Sequence, residues 1–143
     1  MNATAHTPEF ERDGAAGMVE AVLQETLELL DRFAREGAEA AIDLAGMPLT
    51  KDERDELERR LGRGEVEAEL AVLGRSEVWE TAYSGVWWVR HWGEERISSE
   101  AIEITAVPKI LICDRDDARA AAARLARALS TSEESKDAGA THE

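Results

Sequence analysis

Apolar residues fall at Val19, Val22, Leu23, Leu27, Leu30, Phe33 and Ala34, a spacing of three and four that puts them along one side of a helix. Gly37 supplies its stop, because glycine takes the left-handed conformation past a last turn without a Cβ penalty. The period then shortens. Ala40, Ile42 and Leu44 alternate with Ala41, Asp43 and Ala45, which predicts a short strand before a turn at Gly46, Met47 and Pro48. Thr50-Lys-Asp-Glu53 has the form of a capping box, so a second helix is expected to run to about Leu61, to bury Leu57 and Leu61, and to end at Gly62 or Gly64.

Beyond Gly64 the period is two. Val66, Ala68 and Leu70 alternate with Glu65, Glu67 and Glu69, giving a strand with an apolar side and an acidic side. Residues 77–83 and 86–92 read as two more strands joined by a tight turn at Ser84 and Gly85, where glycine can supply the positive φ that hairpins need. Residues 100–107 form the next strand, closed by Pro108, which cannot donate to a sheet ladder. Asp114 is placed to cap a last helix with Ala118, Ala121, Ala122, Leu125, Ala126 and Leu129 along one side, and those alanines predict close approach to the sheet or to another helix. Residues 1–17, with Pro8, Gly14 and Gly17, read as a flexible arm, 18–130 as a single domain, and 131–143 as a flexible polar tail. The expected fold is α+β: a mainly antiparallel sheet of four to five strands with two to three helices packed on one face.

Composition narrows the partners. With 31 Asp plus Glu against 17 Lys plus Arg, the 143 residues carry a formal net charge of -14. That argues against nucleic acid, whose phosphates need clustered cations, and it would steer a basic segment toward the surface. Cys113 is the sole cysteine, so no intramolecular disulfide can form and a reducing compartment is compatible. No stretch approaches the roughly 20 apolar residues of a membrane span, and the first residues lack the apolar core of an export signal, so a cytoplasmic protein without membrane insertion is expected.

Three segments then converge. Leu61-Gly-Arg-Gly64-Glu65-Val66-Glu-Ala68, Glu80-Thr81-Ala-Tyr-Ser-Gly85-Val86-Trp87, and Ile102-Glu103-Ile104 followed by Val107-Pro108 occur in this order, with Ile42-Asp43-Leu44 and Pro48-Leu49 ahead of them. Together they resemble the C-terminal domain of the HupH/HyaF family of nickel–iron hydrogenase expression/formation proteins. The likeness runs from about Val19 to Leu129, and several motifs in order are more specific than any one. Family members are often longer, with an N-terminal portion to which none of these 143 residues corresponds in this resemblance. The resemblance implies a chaperone-type accessory of hydrogenase maturation, acting on the iron–sulfur-bearing small subunit as a precursor, before export, or on other maturation proteins.

Little in the chain suggests chemistry. His6 and His142 lie near the ends, and His91 sits alone in an aromatic strand. A small hydrolase or metal-handling protein using His91, Cys113 and nearby carboxylates is the competing reading, and a generic self-associating α+β module is a third. Glu80 and Glu103, in what read as neighbouring strands, would make an acid/base pair, but Glu80 is better read as a structural carboxylate partnered by Arg90. No catalytic, cofactor-binding or metal-ligating residue is assigned. The aromatic hairpin is the candidate surface. Trp87 and Trp88 are adjacent in a strand and must point to opposite faces, so one is expected to face outward, toward a partner or a second copy in a homodimer. The partner-binding candidates are therefore Glu65, Glu67, Glu69, Glu80, Thr81, Tyr83, Gly85, Trp87, Trp88 and Trp92, with the acidic row Glu65, Glu67 and Glu69 steering a basic peptide.

Overall fold

The computed structural model describes the backbone of residues 2–71 and 74–141 and the side-chain surroundings of 17–71 and 74–133. In chain order the elements are α1 (Asn2–Glu36), β1 (Ala40–Asp43), α2 (Lys51–Leu61), β2 (Glu67–Leu70), β3 (Arg75–Glu80), β4 (Val86–Trp92), β5 (Ile97–Ile104), a 3₁₀ turn (Lys109–Leu111) and α3 (Arg115–Thr141). They fall into two units, Met1–Pro108 and Lys109–Glu143.

The first unit holds the sheet, all antiparallel, in the order β1-β5-β4-β3-β2. This is the expected α+β class with five strands. Register sets the two faces. Ile42, Ile102, Trp88, Trp79 and Glu67 form one continuous cross-strand row, so they share a face. Ile42, Ile102, Trp88 and Trp79 join Val86, Ile104, Leu57, Leu61, Val19 and Val22 in the core, which places α1 and α2 over this face.

Helix α1 meets the core through Val19, Val22 and Thr26, with Leu29, Leu30 and Phe33 partly buried. Thr26 can occupy an apolar row because its hydroxyl donates to the Val22 carbonyl one turn back, at 2.8 Å. The buried arc is thus rotated from the one the leucines suggest, and Leu27, expected inside, is 58% exposed. Gly37, at φ 73, ends the helix through a bond from its N–H to the Phe33 carbonyl. The helix also takes in residues 2–16, read from the sequence as an arm, whose side-chain surroundings lie outside the described residues. Helix α2 starts as anticipated, with Thr50 and Glu53 exchanging both capping-box bonds, and stops at Gly62 at φ 68.

In the second unit α3 reaches Thr141, so its backbone is helical through residues read as a polar tail. Its side chains are exposed from Arg115 to Glu133.

Candidate functional site

The aromatic hairpin departs most from expectation. Trp87 and Trp88 do point to opposite faces, but both are buried. Trp88 lies in the core, stacked on Trp79 with centroids 5.7 Å apart. Trp87 is only 5% exposed, its neighbours Val78 and Val89 are buried on the same face, and its N–H donates to the Thr105 carbonyl at 3.1 Å. The second face of the sheet is covered here too, so the expectation of an outward-facing indole is overturned for Trp87 and Trp88 alike. Trp92 is half-buried, and its N–H is taken by Glu77.

The acidic row Glu65, Glu67 and Glu69 is also corrected. Glu65 and Val66 precede β2, and Glu67 lies on the same face as Trp79, not on a free acidic side. Arg63 donates to Glu67 at 2.8 Å with its guanidinium 4.0 Å above the Trp79 ring, and Arg75 pairs with both Glu69 at 3.2 Å and Glu77 at 2.7 Å. Two of the three glutamates assigned to a basic peptide are therefore already held by arginines of the chain. Beside them lies a network with a buried centre. The Glu100 carboxylate accepts from the Trp88 N–H at 2.9 Å and from Arg90 Nε at 2.6 Å. Arg54 Nε stands 2.9 Å from its other oxygen without the alignment of a hydrogen bond. Arg90 also reaches Glu58 on α2 at 3.0 Å, so α2 is clamped to β4 and β5 by charge as well as by Leu57. Desolvation alone would lower the Arg90 pKa, but its bonds and charge interactions with Glu100 and Glu58 prevail and raise it.

Arg90 is thus engaged by Glu100 and Glu58, not by Glu80, because it lies on the opposite face. Glu80 and Glu103 are not neighbours either. They flank Trp87 on its two sides, with β4 between their strands, roughly 10 Å apart by strand spacing. His91 is the cross-strand partner of Ser76, whose hydroxyl lies 2.6 Å from Nδ1, and Cys113 is exposed in the other unit. Among the described residues no group of three or more His, Cys, Asp or Glu could hold a metal ion. No helix among them is long and apolar enough to cross a membrane.

What the hairpin builds instead is a groove. Leu23, Thr26, Leu27 and Leu30 of α1, Arg60 and Leu61 of α2, and Tyr83 and Val86 of the β3–β4 turn line a cleft of about 250 Å³. Two candidates hold its wall in place. Thr81 is buried, donates to the Val86 carbonyl at 2.9 Å and accepts from the Tyr83 N–H at 3.2 Å, which fixes the turn. Gly85, at φ 90, lets that turn meet α1: a Cβ there would lie 3.2 Å from Leu30 Cδ1. Tyr83 and Leu27 of the lining are left 53% and 58% exposed, and Arg60, paired with Glu20, borders the groove. The surface can take aliphatic or aromatic side chains from a partner, and the exposed Asp31 that follows Leu30 on α1 is held by Arg35 at 3.0 Å.

The model of the HupH hydrogenase expression protein C-terminal conserved region matches residues 18–132. The chain belongs to the HupH family. The hydrogenase expression protein HupH from Thiobacillus denitrificans has a solved structure similar to this one, with a TM-score of 0.76 at 34% identity over 80% of this chain and 97% of that one. The hydrogenase expression/formation protein HoxQ of Azotobacter vinelandii is 29% identical over 105 residues, which are 69% of this chain but 37% of that protein. The HupH-family domain described here thus spans little more than a third of that curated relative.

Of the sequence candidates, Tyr83 and Gly85 meet in the groove, with Thr81 behind them. Glu67, Glu69 and Trp92 belong to the ion-pair lattice, while Glu65 is exposed ahead of β2. Sequence reasoning missed the groove-forming Leu23 and Leu27. The available signal was the width of the apolar arc on α1, more than one sheet contact can cover. It also missed Glu100, although its parity with Ile102 and Ile104 already aligned it with two core residues.

Proposed function

We propose that this HupH-family domain is a non-catalytic accessory of nickel–iron hydrogenase maturation that holds the small-subunit precursor in the cytoplasm before export. Family membership supports the maturation role, and the names of the two relatives agree with it. The observation that carries the mode of action is the open apolar groove between α1 and the β3–β4 turn, with Leu27 and Tyr83 presented at its mouth. Uptake hydrogenases are exported by a twin-arginine signal, which offers basic residues followed by an apolar stretch. The apolar stretch fits the leucine-lined groove, and the arginines fit a chain of net charge -14. This mode of holding needs no cofactor.

Titration calorimetry with the precursor tests the reading. Leu27→Asp and Tyr83→Ala alter exposed side chains and leave the core intact; each is expected to weaken binding about tenfold or more. Precursor lacking its signal segment is expected to bind far more weakly. Equal affinity for the shortened precursor, or for both variants, would refute the proposal.

A further inference from the structure

Among the described residues that line the groove, Arg60 alone carries a charge, and it has the sign of the arginines in the proposed partner. Its guanidinium is held by Glu20 of α1, 40 residues away in sequence. Glu20, Leu23, Leu27 and Leu30 follow one another on α1 at steps of three and four, and side chains so spaced are neighbours on a helix surface. The Glu20 carboxylate therefore extends the leucine row by one step, about 4.5 Å along the axis. The chain itself shows that a guanidinium seats on it at the border of the groove.

The seat is open to exchange. Both side chains are well exposed, Arg60 at 40% and Glu20 at 61%, and an exposed ion pair stabilises little. Glu56, one turn back on α2, attracts Arg60 as well and is met by Arg59 only at 3.5 Å, so a guanidinium leaving Glu20 keeps a carboxylate within reach. We infer that Glu20 reads a basic side chain adjoining the apolar segment and that Arg60 is the competitor this side chain displaces, which rests on the reading that such a segment fills the groove. The exchange trades one guanidinium for another on the same carboxylate, while the apolar side chains enter beside Leu23 and Leu27. Because the released Arg60 keeps Glu56, the exchange favours a segment with the cation over an equally apolar one without it.

Titration calorimetry of the full chain with the small-subunit precursor tests the assignment through Arg60→Gln, Glu20→Gln and the double variant. Arg60→Gln removes the competitor and should bind about two- to fivefold more tightly than wild type, the contribution of one exposed pair. In the Glu20→Gln background the same change should do nothing, because the contested carboxylate is gone. Precursor whose signal-segment arginines are replaced by glutamine should bind wild type and Arg60→Gln alike, and Arg60→Lys, which keeps the charge, should stay near wild type. Both side chains are exposed, so circular dichroism should show every variant folded as wild type. A gain from Arg60→Gln that persists without Glu20 would reflect net charge alone and overturns the inference, as does an Arg60→Gln variant no tighter than wild type. If Leu27→Asp still weakens binding in that case, the groove reading stands and only this assignment falls; a precursor that does not bind wild type overturns both.

Discussion

Glu100 occupies a fully buried position, and its neighbours show how a carboxylate is accommodated there: an indole N–H, one aligned guanidinium and a second guanidinium in contact. Removing one member of such a group leaves the others short of a partner. Glu100→Gln is therefore expected to destabilise the first unit by about 3 kcal/mol in urea denaturation; a loss below about 0.5 kcal/mol would show that the arginines find other partners. Glu77 lies nearer the surface. Desolvation pushes its pKa up, but hydrogen bonds from Arg75 and Trp92 outweigh that and hold it below the usual 4.5. A depressed carboxylate contributes stability that is present above its unfolded value and lost as pH falls through the folded one. The advantage of wild type over Glu77→Gln should accordingly be constant above about pH 5 and shrink below pH 4.5; an advantage that grows on acidification would contradict the shift. Parity alone could have aligned Glu100 with the core. Its arginines could not be foreseen, because Arg54 comes from a helix whose rotation over the sheet is set by tertiary packing.

At the scale of elements, local rules read well wherever one residue decides the geometry. The Thr50–Glu53 capping box, the stop at Gly62 and the turn at Gly85 all follow from side-chain chemistry within four residues. Thr50→Ala should cost about 1 kcal/mol of stability by thermal unfolding, since it strips an acceptor from the first turn of α2; no change would mean that water replaces the cap. Alternation likewise put Trp87 and Trp88 on opposite faces. It could not reveal that both faces are covered, because a period of two records sidedness and not what lies above each side. The burial of both rings gives a sharp expectation: Trp87→Ala and Trp88→Ala should each cost about 3 to 5 kcal/mol in urea. A Trp87→Ala cost near zero would restore that ring to solvent. For α1 the periodicity was legible and the phase was not, since Thr26 entered the core by bonding its own helix and turned Leu27 outward.

For the molecule as a whole, the α+β class and the HupH likeness were both readable, one from the change of period along the chain and the other from motifs that cluster at turns and strand ends. The surface proposed for a partner was not, because the indoles build the interior and the open groove lies where the hairpin turn meets α1. The proposed accessory role therefore rests on exposed leucine and tyrosine and not on exposed tryptophan. Hydrogen–deuterium exchange of the chain with and without the small-subunit precursor tests this most directly. Slowed exchange is expected in α1 around Leu23 to Leu30 and in the turn from Tyr83 to Val86, with the edge strand β2 unchanged. Protection confined to β2, or none in α1 and the turn under conditions where the precursor is bound, would contradict the account.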